Sequence, residues 1–346
     1  MFKKNLIASA VLFVLPTVAA AENWTNHLQL SGLLEVEATF GEDVNEDEDD
    51  TVDNSDITLA TVEIGFDAQI NERVSASVLL LHEEDDTSLE LDEGVITVSL
   101  NEDGSFYFAG GQMYVPFGNF ETHMVSDPLT LELGETRQSV LQLGFENNGF
   151  SGSVYVYNGD VVEASAEDDT VESFGVNIGY AAEMDNFSFD IGASYISNIA
   201  DSFGFMDNLP QTDDEVDPID SFVSGMSVYA IVNSGAITGI FEYVAADEFD
   251  AAELAWDDDG ASPSAANFEV GYAIDDASTV ALGYQMTDEA ADMGLVEDAV
   301  LVSYSREIYD ATTLSFEYKQ GDYYSEDDNG NGLDMSAFTA QLAVEF

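Results

Sequence analysis

The final nine residues, Phe338-Thr339-Ala340-Gln341-Leu342-Ala343-Val344-Glu345-Phe346, alternate apolar with small or polar side chains up to an aromatic at the last position. Successive side chains of a β-strand point to opposite faces. The spacing therefore predicts a strand with Phe338, Ala340, Leu342, Val344 and Phe346 on an apolar face and Thr339, Gln341 and Glu345 on a wet one. Such a strand suits the edge of a soluble β-sandwich, or the wall of a barrel with lipid outside and water inside. The rest of the chain favours the barrel. Segments of about ten to fourteen residues with the same alternation recur roughly every twenty residues. Sixteen are placed, over 27–40, 56–70, 74–84, 92–101, 106–118, 138–147, 150–159, 171–182, 187–199, 221–233, 236–246, 266–275, 278–288, 297–308, 312–323 and 336–346.

The connections alternate in length. After even-numbered segments they are tight and turn-like, as at Asn71-Glu72-Arg73, Asn101-Glu102-Asp103-Gly104, Asn147-Asn148-Gly149, Glu183-Met184-Asp185-Asn186, Asn233-Ser234-Gly235, Asp275-Asp276-Ala277 and Tyr309-Asp310-Ala311. These are hairpin signals. After odd-numbered segments most are long and acidic, with examples at 41–55, 119–137, 200–220, 247–265 and 324–335. Periplasmic turns and extracellular loops of a transmembrane barrel differ in this way. The expectation is an all-β fold, a transmembrane antiparallel β-barrel of about 16 strands over 22–346, with a water-filled lumen and no room for a plug. Parity places Leu314, Phe316 and Tyr318 toward lipid and Thr313, Ser315, Glu317 and Lys319 toward the pore; Arg306 falls outward near the periplasmic rim, where an arginine can snorkel.

The chain opens Met1-Phe2-Lys3-Lys4, runs apolar from Leu6 to Val18 apart from Pro16, and offers Ala19-Ala20-Ala21 before Glu22. That pattern predicts a cleaved secretory signal peptide over 1–21. No other stretch approaches the roughly 18 to 20 apolar residues a helical span needs. Cysteine is absent, which a barrel tolerates because closure leaves no sheet edge open. Beyond residue 21 the chain holds 70 acidic residues against four basic ones, Arg73, Arg137, Arg306 and Lys319, a net charge of about −66. Nucleic acid is excluded as a partner by charge. The acidity suits either a saline habitat, where charges are screened, or bound divalent cations. The run Glu42-Asp43-Val44-Asn45-Glu46-Asp47-Glu48-Asp49-Asp50 repels itself and is expected to be a solvated loop.

The most specific stretch runs from Gly111-Gln112-Met113-Tyr114-Val115-Pro116-Phe117-Gly118-Asn119-Phe120 through Ser126-Asp127-Pro128-Leu129-Thr130-Leu131-Glu132-Leu133-Gly134-Glu135-Thr136-Arg137 to Gly149-Phe150. Over these forty or so residues, and in the closing strand, the chain resembles the LbtU-type siderophore porins of Gram-negative outer membranes. The resemblance implies an outer-membrane barrel that takes up a ferric siderophore, in contact with lipid and lipopolysaccharide. The closing strand also resembles those of outer-membrane barrels at large, whose terminal Phe, here Phe346, is read by the barrel assembly machinery. Many porins of this size are trimers, so an oligomer is an open expectation.

The same stretch reads as a constriction. It follows the fifth strand, and the corresponding third loop of general porins folds into the lumen. Pro116 and Pro128 limit the backbone, while Gly111, Gly118 and Gly134 permit tight bends. Tyr114, Pro116, Phe117, His123, Asp127, Glu132, Glu135, Arg137 and the strand residue Lys319 are the candidates for contact with a solute; Glu121 belongs to the same mixed-charge set. An acidic pore repels an anionic chelate, so the cargo implied by the resemblance needs basic residues on the inner wall, neutralising cations, or a neutral or cationic chelate. A general or differently selective diffusion porin fits the barrel pattern equally.

Two further patterns bear on cation binding and catalysis. Asp327, Asn329, Asn331 and Asp334 supply oxygen side chains around Gly332, like the first half of a calcium loop, but Phe338 stands where a bidentate Glu would close an EF-hand. The expectation is loose Ca²⁺ or Mg²⁺ binding, of use beside anionic lipopolysaccharide, with no cofactor required. For catalysis, the three histidines His27, His82 and His123 sit in no zinc spacing, and Ser126 lacks an elbow motif. The expectation is a channel, not an enzyme.

Overall fold

Alternation of period two over ten or more residues forces a chain into strands whose two faces see different solvents. In a computed structural model, which describes residues 27–45, 50–83, 89–164, 170–212, 215–256 and 259–346, each of the expected segments is a strand. They are β1 (Leu28–Asn45), β2 (Asp50–Asn71), β3 (Val74–Glu83), β4 (Glu90–Ser99), β5 (Phe106–Tyr114), β6 (Arg137–Asn147), β7 (Phe150–Asn158) and β8 (Ser173–Met184). The second half comprises β9 (Phe187–Ile196), β10 (Gly225–Ser234), β11 (Ile237–Ala246), β12 (Ser264–Asp275), β13 (Ser278–Asp288), β14 (Val296–Tyr309), β15 (Thr312–Tyr323) and β16 (Asp334–Glu345). The sixteen form one closed barrel in sequence order, every neighbouring pair antiparallel. The expected signal peptide lies outside the described residues.

The closing strand does what its alternation requires. It pairs with β1 from Leu33↔Glu345 to Val44↔Asp334, and Gly32 and Phe346 exchange backbone hydrogen bonds of 2.9 and 3.0 Å at the seam. Phe338, Leu342 and Phe346 are exposed on the outside. Around the wall the same parity holds: Leu141, Leu143, Val154, Val176, Phe268, Val270, Leu282, Val300, Val302 and Tyr318 point out, while Gln142, Ser153, Asn267, Gln285, Ser303 and Ser315 are buried inside. So large an apolar exterior around a polar interior inverts a soluble protein and suits a lipid surround. Arg306 sits at the tight-turn end, 2.9 Å from Ser278 Oγ and 3.9 Å from Asp275. At Asn148-Gly149 both residues have positive φ, 52° and 82°, as a two-residue type I′ hairpin demands.

One expectation is corrected. The acidic segment 41–55 is not a loop: Gly41 to Val44 pair with Asn54 to Thr51 on one side and with Ala337 to Asp334 on the other. Charge repulsion forbids packing, but this hairpin needs none there, because its ladder is satisfied by backbone alone and exposed side chains such as Asp53, Asn54 and Asp56 stand in water. Residues 46–49 at its tip lie outside the described set.

The core is lopsided. Inside the barrel mouth, Phe117, Leu129, Leu133, Tyr157, Ile199, Phe205, Phe249, Leu254 and Leu301 pack into one apolar cluster, which no described residue before Val95 joins. Two short helices contribute to it, α1 (Leu129–Gly134) in the connection after β5 and α2 (Phe203–Asn208) in the connection after β9. Phe205 stacks on Phe249 at 4.8 Å between ring centroids. Gly204 lets α2 lie directly on the Glu132 carbonyl of α1, where a Cβ would collide. The fully buried Asp201 ties these connections together, accepting from Val161 N and Asn198 Nδ2, both at 2.9 Å; burial pushes its carboxyl up to about 7. The cluster takes described residues from β4 onward and none from β1, β2 or β3.

Candidate functional site

A segment that leaves the sheet and enters the lumen carries backbone N–H groups with no ladder partner, and each needs an acceptor. The connection from Val115 to Thr136 finds them on the far wall. Glu242 on β11 accepts from Asn119 N at 2.6 Å, Phe120 N at 2.8 Å and Thr130 Oγ1 at 3.2 Å. Glu269 on β12 accepts from Thr122 Oγ1 at 2.5 Å and His123 N at 2.6 Å. Glu317 on β15 accepts from Val125 N at 2.6 Å and from Ser126 N and Oγ at 3.2 and 2.8 Å. Gly118 N donates to Ser194 Oγ on β9, and Ser303 Oγ on β14 donates to His123 O. The segment is stitched across the barrel by three buried carboxylates, each using charge-assisted bonds.

The backbone bends where the sequence allows it. Gly118 has φ 80°, and Phe120 adopts φ 57°, a costly conformation for a bulky residue. Phe120 is held there by its N–H bond to Glu242 and by a ring lying against Gly118 and Gly134.

The expected site residues separate into three groups. Tyr114 and Arg137 form an anchor at the root of the segment. Arg137 pairs with Asp92 and, at 3.3 Å, with Glu90, and lies over the Phe203 ring at 5.4 Å, while Tyr114 OH donates to Asp92 at 3.2 Å. Phe117 is 2% exposed and braces the segment from within instead of offering a face to a solute, and Pro116 is half-buried beside it. The third group is the more accessible one: Asp127 and Glu132 are exposed, and His123, Glu135 and Lys319 are half-buried. Asp127 interacts electrostatically with Glu35 on β1, and Glu135 with Glu83 on β3 and Asp92 on β4, so the inner segment lies within electrostatic reach of that part of the wall. Burial first, then the charges of Asp127, Glu83, Asp92 and Glu132, push Glu135 up to about 8. The hydroxyl of Ser126, the nearest serine to His123 in sequence, is engaged by Glu317.

At the expected cation loop, Asp328 accepts from Ser325 Oγ at 2.8 Å, Asn331 Oδ1 caps Leu333 N at 3.0 Å, Asn329 takes φ 62° and Asp334 opens β16. Among the described residues no group of three or more His, Cys, Asp or Glu side chains gathers to hold a metal.

Parity alone put Glu317 on the inner wall; Glu242 and Glu269 were missed. A signal existed. All three sit in one local pattern, Phe241-Glu242-Tyr243, Phe268-Glu269-Val270 and Phe316-Glu317-Tyr318, a carboxylate flanked on both sides by outward apolar residues.

No model of a known protein family matches the chain. It is 29% identical over 289 residues to a UPF0422 protein of Coxiella burnetii, covering 79% of this chain and 60% of that protein. It is 27% identical over 337 residues to a UPF0422 protein of Legionella pneumophila (strain Lens), covering 90% and 62%. The chain thus spans about three fifths of the length of the curated relatives it matches. Among solved structures, the barrel is similar to the outer membrane channel DcaP of Acinetobacter baumannii, with a TM-score of 0.64 at 15% identity over 92% of this chain and 97% of that one. It is also similar to an anion-selective porin of Comamonas acidovorans, with a TM-score of 0.61 at 11% identity over 92% and 99%. These likenesses establish a porin-like barrel fold.

Proposed function

We propose that this chain is an outer-membrane channel through which small polar solutes diffuse. The observation that carries the reading is the stitched inner segment: it crosses the lumen of a closed barrel to the β11, β12 and β15 wall and carries the exposed carboxylates Asp127 and Glu132, with Asp127 within electrostatic reach of Glu35 on β1. A narrowing lined by carboxylates favours cations and neutral solutes over anions. The Comamonas porin, named as anion-selective, shares the fold, so the lining and not the barrel sets the preference here. The apolar outer belt and the short-turn and long-connection ends suit an outer-membrane barrel with its long connections outside the cell.

The resemblance to LbtU-type siderophore porins supports a finer reading, in which the cargo is a ferric siderophore. The acidic passage limits that cargo to a chelate that is neutral or positively charged. The test is single-channel recording of the refolded protein with a panel of ferric chelates of both signs. Transient blockage by a neutral or cationic ferric chelate, and not by its iron-free form, is expected; a channel indifferent to every chelate leaves general diffusion as the function and removes the siderophore.

A further inference from the structure

Lys319 is the only lysine of the chain beyond Lys3 and Lys4. It lies on β15 with its neighbour Tyr318 turned outward and Glu317, two positions along on the same face, bonded to the inner segment at Val125 and Ser126. That bond sets the next residue, Asp127, within electrostatic reach of Lys319 though beyond ion-pair distance, and Glu132 lies within the same reach. None of the three is spent elsewhere. Among the described residues Lys319 makes no ion pair or hydrogen bond, and neither Asp127 nor Glu132 accepts a hydrogen bond, although both are exposed. The other base of the region, Arg137, is already occupied by Asp92, Glu90 and Phe203.

An uncommitted ammonium beside two uncommitted carboxylates, at the narrowing of a passage, is complementary to a solute that carries both signs. An anion gains Lys319 but meets the carboxylates; a cation gains the carboxylates but meets Lys319; a neutral solute gains neither. A zwitterion can orient to satisfy both, and exposed contacts of this kind are weak enough to release it. We propose that Lys319, set against Asp127 and Glu132, is the specificity-determining residue of the channel, and that the favoured solutes are small zwitterions carrying an ammonium and a carboxylate. This rests on the channel reading above and names its substrate class.

The experiment is osmotic swelling of liposomes containing the refolded full chain, with alanine as the zwitterion and lactamide as a neutral solute of the same size. Alanine is expected to enter about threefold faster than lactamide, the gain of one weak charge pair. Lys319→Met and Asp127→Asn each bring the ratio of alanine to lactamide entry to about one. Lys319→Arg retains the preference. Heat-modifiable gel mobility identifies barrels that have folded, and Lys319→Gln serves if Lys319→Met has not. Equal entry of the two solutes in the native protein, or a preference that survives loss of Lys319, overturns the assignment. Failure of lactamide itself to enter overturns the channel reading, and the specificity with it.

Discussion

At the scale of single residues, the carboxylates do two unlike jobs that composition cannot distinguish. Glu242, Glu269 and Glu317 are buried and saturated by donors from the inner segment, while Asp127 and Glu132 stand in water. The difference follows from what faces each one, which is fixed by partners more than a hundred positions away, and only the flanking apolar residues leave a local trace of it. Removing one anchor strands its donors. Glu269→Ala leaves Thr122 Oγ1 and His123 N without their acceptor, at a cost of roughly 2–3 kcal/mol. The expected result is a lower thermal midpoint and noisier, larger single-channel steps; native noise and conductance would mean that the segment is held by its apolar packing alone.

At the scale of elements, strands and tight turns were legible, and the detailed paths of the long connections were not. Each strand writes its two environments into alternate residues, so its position and parity survive even where register is unknown. The connection after β5 carries no periodicity, and its path depends on acceptors contributed by β9, β11, β12, β14 and β15. The first hairpin misled in the other direction, because acidic residues that cannot pack can still pair through their backbones. The contact of α2 on α1 is the joint between the inner segment and the mouth, and it depends on the absence of a side chain at Gly204. Gly204→Ala forces the Glu132 carbonyl and α2 apart, at about 1–3 kcal/mol. Protease cleavage between 197 and 224 is expected to accelerate while the barrel itself stays folded; an unchanged cleavage rate would show that the two helices do not hold each other.

At the scale of the whole molecule, a closed barrel whose apolar cluster takes no described residue from β1–β3 leaves that side as the proposed acidic passage. The fold could be read from the sequence because lipid outside and water inside are imposed on every strand alike. The passage could not, since it arises where strands from both ends of the chain meet an inward segment from the first half. Net charge points to an acidic lumen, and the structure adds that Asp127 and Glu132 on the inner segment are exposed while Glu242, Glu269 and Glu317 behind it are bonded. The most direct test of this account is the reversal potential of the refolded protein in a planar bilayer under a potassium chloride gradient. Discrete open steps with potassium preferred over chloride, the preference weakening as salt screens the lining, are the predicted result; chloride preference, or a bilayer that stays sealed around folded protein, would contradict it.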